Sequence, residues 1–318
     1  MTQKIFELIN DAKKILIITH VNPDGDTLGS ACALKSFIGD KADILLQVSR
    51  DKNFPNTYLF LPYIKEAKTF DDIEDIYDTV ICVDVASADR IVEAARLIFN
   101  HAKVTINIDH HKTNKGFAMY NYVQGGLSST GEVLYKIFEK ENKNITLEMA
   151  NCLYVSILTD TGCFKYETVT GETFEIVSSL LKKGVNSADI AQKCYEQKQK
   201  AMVMLQAYCL SNAKFECNDK IAYTTIKLKD MEKFGAKDEH TEGLSEALRS
   251  IKPVEIAFVL KETDRGDIKV SMRSKETDIT CIVKKFGGGG HSRAAGCTIK
   301  KPMDAALESI LDEIKKHL

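Results

Sequence analysis

Nowhere in this sequence do two cysteines stand at the C-x-x-C spacing of a zinc ribbon or a dithiol redox centre; the nine cysteines are scattered singly. An odd, unpatterned count suits reduced thiols rather than a disulfide framework, and it points to a cytoplasmic protein. No apolar run approaches the roughly 18–20 residues needed to cross a bilayer. Glu7 and Asp11 stand ahead of the first hydrophobic stretch, which is wrong for a signal peptide. The formal net charge is only −2, which argues against a surface built for long nucleic acid. Proline- or serine-rich tethers and internal repeats are missing too, and the sole low-complexity tract is Gly287 to Gly290. What is left is a globular profile, 44% apolar and 28% charged over 318 residues, enough for two ordinary domains.

Strand-like and helix-like segments alternate through the first part. The runs at 14–20, 43–49, 79–86 and 104–111 are short, β-branched and almost continuously hydrophobic. That is the pattern of strands covered on both faces of a parallel sheet. Helical patterns at 27–39, 88–99 and 128–142 separate most of them, which is βαβ architecture with right-handed connections. The expected fold is α/β: a doubly wound, mainly parallel N-terminal domain over 1–188, a helical linker over 189–212, and a smaller α+β domain over 213–318, with a cleft between the two. Ligands of such sheets bind beyond the carboxyl ends of the strands.

Acids and imidazoles gather at those ends. His20, Asp24 and Asp26 follow the first run, Asp84 ends the third, and Asp109, His110 and His111 end the fourth. Asp160 closes the apolar stretch 153–160 and is expected at a matching strand end. Each has a bland reading by itself: Asn22-Pro23-Asp24-Gly25 makes a good turn, and a lone Asp at a strand end commonly caps a helix. Their coincidence is what a site looks like. His20 and Asp24 can hold one divalent ion, with Asp84 bridging to a second held by Asp26, His110 and Asp160. This donor set, hard oxygens with some imidazole, suits Mn²⁺ or a similar divalent ion. Two ions about 3.5–4 Å apart would clamp a phosphoryl group and activate a water.

With "HVNPDGDTLGS", "VDVASADR", "NIDHHKTN" and "ILTDTGCF" in this order, the chain resembles the DHH phosphoesterase family. "GGGGHSRAAG" (287–296) resembles the signature of the associated C-terminal DHHA1 domain. The resemblance implies a dinuclear Mn²⁺ centre on the six ligands named. It also implies that His111 faces the scissile phosphate and that Asp109 supports the site from behind, giving Asp84, His111 and Asp109 catalytic roles.

The second domain has to account for the substrate. Glycines let backbone N–H groups converge on an anion. Gly288, Gly289, Gly290, His291 and Arg293 are therefore expected to bind substrate, together with Arg273 and Ser274 at the end of the strand 268–274. Between residues 265 and 301 nine Lys or Arg stand against three Asp or Glu. Arg90 is expected as a further phosphate contact, the alternative being an ion pair with Asp89. Ser128, Ser129 and Thr130 are expected to cap the following helix, whose N-terminus could also receive a phosphate, and Phe54, Tyr58 and Phe60 to pack, the alternative being to stack on a base. The compact two-domain members of the family degrade RNA oligonucleotides of a few residues to mononucleotides and remove the 3′-phosphate of adenosine 3′,5′-bisphosphate. The resemblance thus implies an enzyme whose partners are short single-stranded RNA and a nucleotide bisphosphate, with no long nucleic acid, no membrane and a homodimer as its candidate assembly. Two alternatives stay open: a soluble phosphodiesterase of cyclic di-AMP or its linear product, and a nucleotide-binding protein with an idle site.

Overall fold

The four apolar runs become neighbouring strands of one sheet. In the computed structural model, which describes residues 1–47, 56–73 and 77–318, they are β1 (Ile15–Ile18), β2 (Ala42–Leu45), β3 (Thr79–Val83) and β4 (Val104–Asp109). A fifth strand, β5 (Tyr120–Val123), adds an edge, and all neighbours in the order β2-β1-β3-β4-β5 run parallel. Val48 and Ser49 of the second run, and Phe54, lie outside the described residues.

Alternation along the strands feeds two cores. Ile15 and Ile17 point with Ile81, Val83, Ile106 and Ile108 into the larger one. It is closed by α1 (Thr2–Asp11), α2 (Gly25–Ile38), α4 (Thr130–Lys140), α5 (Leu147–Asp160) and α6 (Gly171–Lys182). Leu16, Ile18, Val80 and Cys82 point the other way, onto Ala95 and Phe99 of α3 (Glu93–His101). Each such buried side chain removes about 1.5–3 kcal/mol worth of apolar surface from water. Tyr58 and Phe60 are partly buried against the larger core.

Two expectations need correction. The stretch ending at Asp160 is helix α5, not a strand. The segment 88–99 begins as a 3-10 turn, Ala88–Arg90, before α3 starts at Glu93.

The chain divides after Gln197 into two units. The helical stretch 189–212 is split between them. Helix α7 (Ser187–Tyr195) puts Ile190 into the first unit's core, and α8 (Lys200–Ser211) puts Leu205 and Cys209 into the second's. The second unit carries β6 (Lys214–Glu216), β7 (Ile221–Ile226), β8 (Ile256–Glu262), β9 (Ile268–Ser274), β10 (Gly289–His291) and β11 (Ala294–Ile299). They form a mixed sheet in the order β10-β11-β9-β8-β7-β6, in which only β7 and β8 pair in parallel. The short helices α9 (Leu228–Phe234), α10 (Leu244–Arg249) and α11 (Thr280–Lys284) and the longer α12 (Met303–Lys315) pack with it. No helix among the described residues is long and apolar enough to cross a membrane.

Candidate metal centre

Each element ends where it can deliver a donor. Past β1 the chain turns through Asn22, at φ 56°, into α2. Asp24 caps that helix: its Oδ1 accepts from the N–H groups of Asp26 and Thr27 at 3.0 and 3.2 Å. Its other oxygen lies 3.6 Å from His20 Nε2. Asp26, in the first turn, is 1% exposed. Asp84 follows β3 with φ 60°, a left-handed conformation that costs a non-glycine residue about 1–3 kcal/mol. Such a conformation persists only where its surroundings hold it. Asp84 donates its N–H to Ile108 O at 3.0 Å, and this geometry turns the carboxylate into the cluster. Asp160 arrives on the last residue of α5.

The structure brings the six expected donors into two groups able to hold an ion, His20 with Asp24 and Asp84, and Asp26 with His110 and Asp160; a third such group, Asp84 with His110 and His111, shares a residue with each. Asp84 spans them. Its Oδ2 is 3.4 Å from His20 Nε2, and its Oδ1 is 3.5 Å from His110 Nε2. His110 Nε2 also lies 3.6 Å from Asp26 Oδ2 and 3.4 Å from Asp160 Oδ2.

These separations test whether the residues fit a metal. They are longer than good N–H···O bonds. Two donor atoms bound to one divalent ion at about 2.1 Å stand about 3.0–3.4 Å apart, close to what is found here. The Nδ1 atoms are already engaged with backbone carbonyls, His20 with Val21 O at 2.8 Å and His110 with Leu127 O at 3.0 Å. That leaves Nε2 of each ring aimed at carboxylate oxygens, an arrangement that needs a proton or a cation in between. The donor set fits a pair of hard divalent ions.

Charge follows the same logic. Burial alone would lower the pKa of His20, but Asp24 and Asp84 overcome it and raise it to about 10. Burial is likewise outweighed at His110, which Asp26, Asp160 and Asp84 raise to about 9. Burial, reinforced by the charge of Asp26, pushes Asp160 up to about 7 and Asp84 well above the carboxylate range. The cluster holds more negative charge than its side chains neutralise.

His111 stands beside these groups, with 35% of its side chain exposed. Its Nδ1 is 2.7 Å from Asp109 Oδ1, and the other oxygen of Asp109 accepts from Asn114 Nδ2 at 2.6 Å. Asp109 is fully buried; burial alone would raise its pKa, but the hydrogen bond and charge of His111, the bond from Asn114 and the charge of His110 together lower it.

In the second unit the four glycines lead into and begin the first arm of a hairpin, β10 with β11. Gly287 has φ 71°, and a Cβ on Gly288 would lie 2.3 Å from the Gly296 carbonyl. Gly289, Gly290 and His291 then pair with β11. Gly288, Gly289, His291 and Arg273 line a cavity of about 640 Å³, with Lys269 and Ser271 beside them. Gly290 and Arg293 are exposed but not among its lining, and Arg273 is tied to Glu246 Oε1 at 2.7 Å. Ser274 differs from expectation. It is fully buried and donates its hydroxyl to Thr277 O at 2.5 Å, so it shapes a turn instead of meeting a ligand. Arg90 is exposed, and its carbonyl accepts from Val21 N at 3.2 Å, which places it next to the loop of His20.

Sequence reasoning passed over two residues that hold carboxylates of the site, Asn114 on Asp109 and Ser156 on Asp26. Asn114 sits five residues beyond Asp109. Ser156 lies one helical turn before Asp160, a signal readable only once that stretch is taken as helix.

Residues 14–157 match the model of the DHH family, N-terminal domain, and residues 218–318 match the DHHA1 domain. A protein of Streptococcus mutans named probable bifunctional oligoribonuclease and PAP phosphatase NrnA is 30% identical over 312 residues, covering 96% of this chain and 94% of the relative. A Thermus thermophilus protein named bifunctional oligoribonuclease and PAP phosphatase NrnA is 29% identical, covering 96% and 90%. The crystal structure of an exopolyphosphatase-related protein from Bacteroides fragilis superposes with a TM-score of 0.91 at 27% identity, covering 99% of this chain and 95% of that one.

Proposed function

Because the chain belongs to the DHH/DHHA1 family of metal-dependent phosphoesterases, we propose that it hydrolyses RNA oligonucleotides of a few residues to mononucleotides and removes the 3′-phosphate of adenosine 3′,5′-bisphosphate. The observation that carries this reading is the match, through both units, to relatives bearing that name. The geometry supports the chemistry. His20, Asp24 and Asp84 would hold one divalent ion, and Asp26, Asp84, His110 and Asp160 the other, with Mn²⁺ the favoured metal. Two such ions supply Lewis acidity to a phosphoryl group and lower the pKa of water.

The remaining roles belong to the side chains. Asp84 spans both groups with one oxygen each, so it fixes their spacing. Asn114 holds Asp109, and Asp109 holds Nδ1 of His111. His111 Nε2 then presents itself to an oxygen of the scissile phosphoester, a positioned hydrogen-bond partner for charge that builds there. Arg90 would meet a substrate phosphate. Arg273, His291 and Arg293 with the glycine hairpin would take a phosphate of the substrate.

One assay series tests the reading. With Mn²⁺ present, turnover is compared for oligoribonucleotides from dinucleotides to a twenty-mer, for adenosine bisphosphate and for cyclic di-AMP. Preferential turnover of the shortest RNAs and of the bisphosphate is expected. A strong bias to cyclic di-AMP would redirect the proposal to a cyclic-dinucleotide phosphodiesterase, and tight binding without turnover to an idle site. Asp84→Asn should abolish turnover while the protein stays folded; a variant that keeps most of its rate would remove the bridging role.

A further inference from the structure

Thr130 touches both halves of the cluster without being a ligand. Its backbone N–H donates to Asp26 Oδ2 at 2.9 Å, and its hydroxyl donates to Asp84 Oδ1 at 3.1 Å. Its neighbour explains why the hydroxyl is available. Ser129 caps α4, accepting from Glu132 N at 3.1 Å, so Thr130 is spared the capping work a residue of its kind does at a helix start. The first N–H groups of a helix have no partner inside it, and here those of Thr130 and Gly131 are directed at Asp26.

The packing around this point is tight. A Cβ on Gly131 would lie 2.1 Å from Ser156 Oγ. The bare glycine therefore lets α4 close on α5, where Ser156 accepts from Gly131 N at 2.8 Å and donates a short hydrogen bond to Asp26 Oδ1. Three helices, α2, α4 and α5, thus meet at one carboxylate. Thr130 and Ser156 are fully buried, so water does not compete for these bonds.

We infer that Thr130 is a positioning residue of the metal centre, coupling Asp26 of one half to the bridging Asp84. Its hydroxyl sets the carboxylate plane of Asp84, so that Oδ2 is turned to His20 while Oδ1 is turned to His110. Without that bond the carboxylate can rotate, and one arrangement no longer serves both halves. Partners that orient ligands in this way typically change metal affinity by 10–100-fold when removed. The inference rests on the metal reading given above, and the test separates the two.

Thr130→Val keeps the shape and the backbone N–H and deletes only the hydroxyl; Thr130→Ser keeps the hydroxyl. Mn²⁺ affinity is measured by calorimetry on chelator-treated wild type and both variants, alongside their melting temperatures in chelator. The expected result is a roughly 10–100-fold loss of affinity in Thr130→Val, with near wild-type affinity in Thr130→Ser and little change in metal-free melting. Equal affinity in Thr130→Val overturns the inference. So does an equal loss in both variants, or a loss matched by a large drop in metal-free melting temperature, since either marks a packing role. If the wild type itself binds no Mn²⁺, the metal reading falls first and this inference with it.

Discussion

Under the proposed metal reading, His20 and His110 carry protons that a bound ion would have to displace. Their carboxylate neighbours raise them to about 10 and about 9, so at neutral pH both rings are charged when no cation binds. A ring nitrogen coordinates only once it has lost its proton. Protons are therefore released on metal binding at pH 7, and affinity falls as the pH is lowered. The release shrinks as the pH approaches 10, where the rings are already neutral. Titration of Mn²⁺ into the protein in buffers of different ionisation enthalpy should give heats that depend on the buffer at pH 7. Buffer-independent heats there would contradict these assignments. Single residues also mark the limit of reading from sequence. The gathering of His20, Asp24, Asp84 and His110 was legible because each follows a buried run, where a polar group needs a reason. Ser274 was misread because nothing in "MRS" reveals that its hydroxyl would turn inward to Thr277.

At the scale of elements, the centre depends on how closely α2 approaches α5. A Cβ on Gly29 would lie 2.5 Å from Cys152 O and 2.9 Å from Ser156 N, both backbone atoms that cannot step aside alone. Alanine is the better helix former by about 0.8–1.0 kcal/mol, so propensity by itself predicts that Gly29→Ala stabilises. The contact should decide the sign the other way. Overpacking of this kind costs about 1–3 kcal/mol, and Gly29→Ala is expected to lower stability in urea unfolding. A variant as stable as the wild type, or more so, would show that the helices can separate freely. The same crowding explains why α5 looked like a strand. A helix enclosed by α2, α4, α6 and α7 is apolar on nearly every side, so its period of 3.6 disappears and only an apolar run is left. Strands β5, β6 and β10 were missed for the opposite reason: they lie at sheet edges and are half-buried or exposed.

At the scale of the whole molecule, the two units differ in how plainly their sequences speak. The parallel sheet of the first announces itself because both of its faces are covered and its strands are continuously apolar. The mixed sheet of the second is legible in β7, β8 and β9, but its glycine-rich stretch carries no apolar pattern that would announce β10 paired with β11. What ties the first unit together chemically is one carboxylate, Asp84, drawn between two histidines from different strand ends. Anomalous diffraction at the manganese edge, from crystals grown with Mn²⁺, examines that directly. The account predicts two peaks about 3.5–4 Å apart, one on either side of the Asp84 carboxylate. A single peak, or peaks away from Asp84, would contradict it.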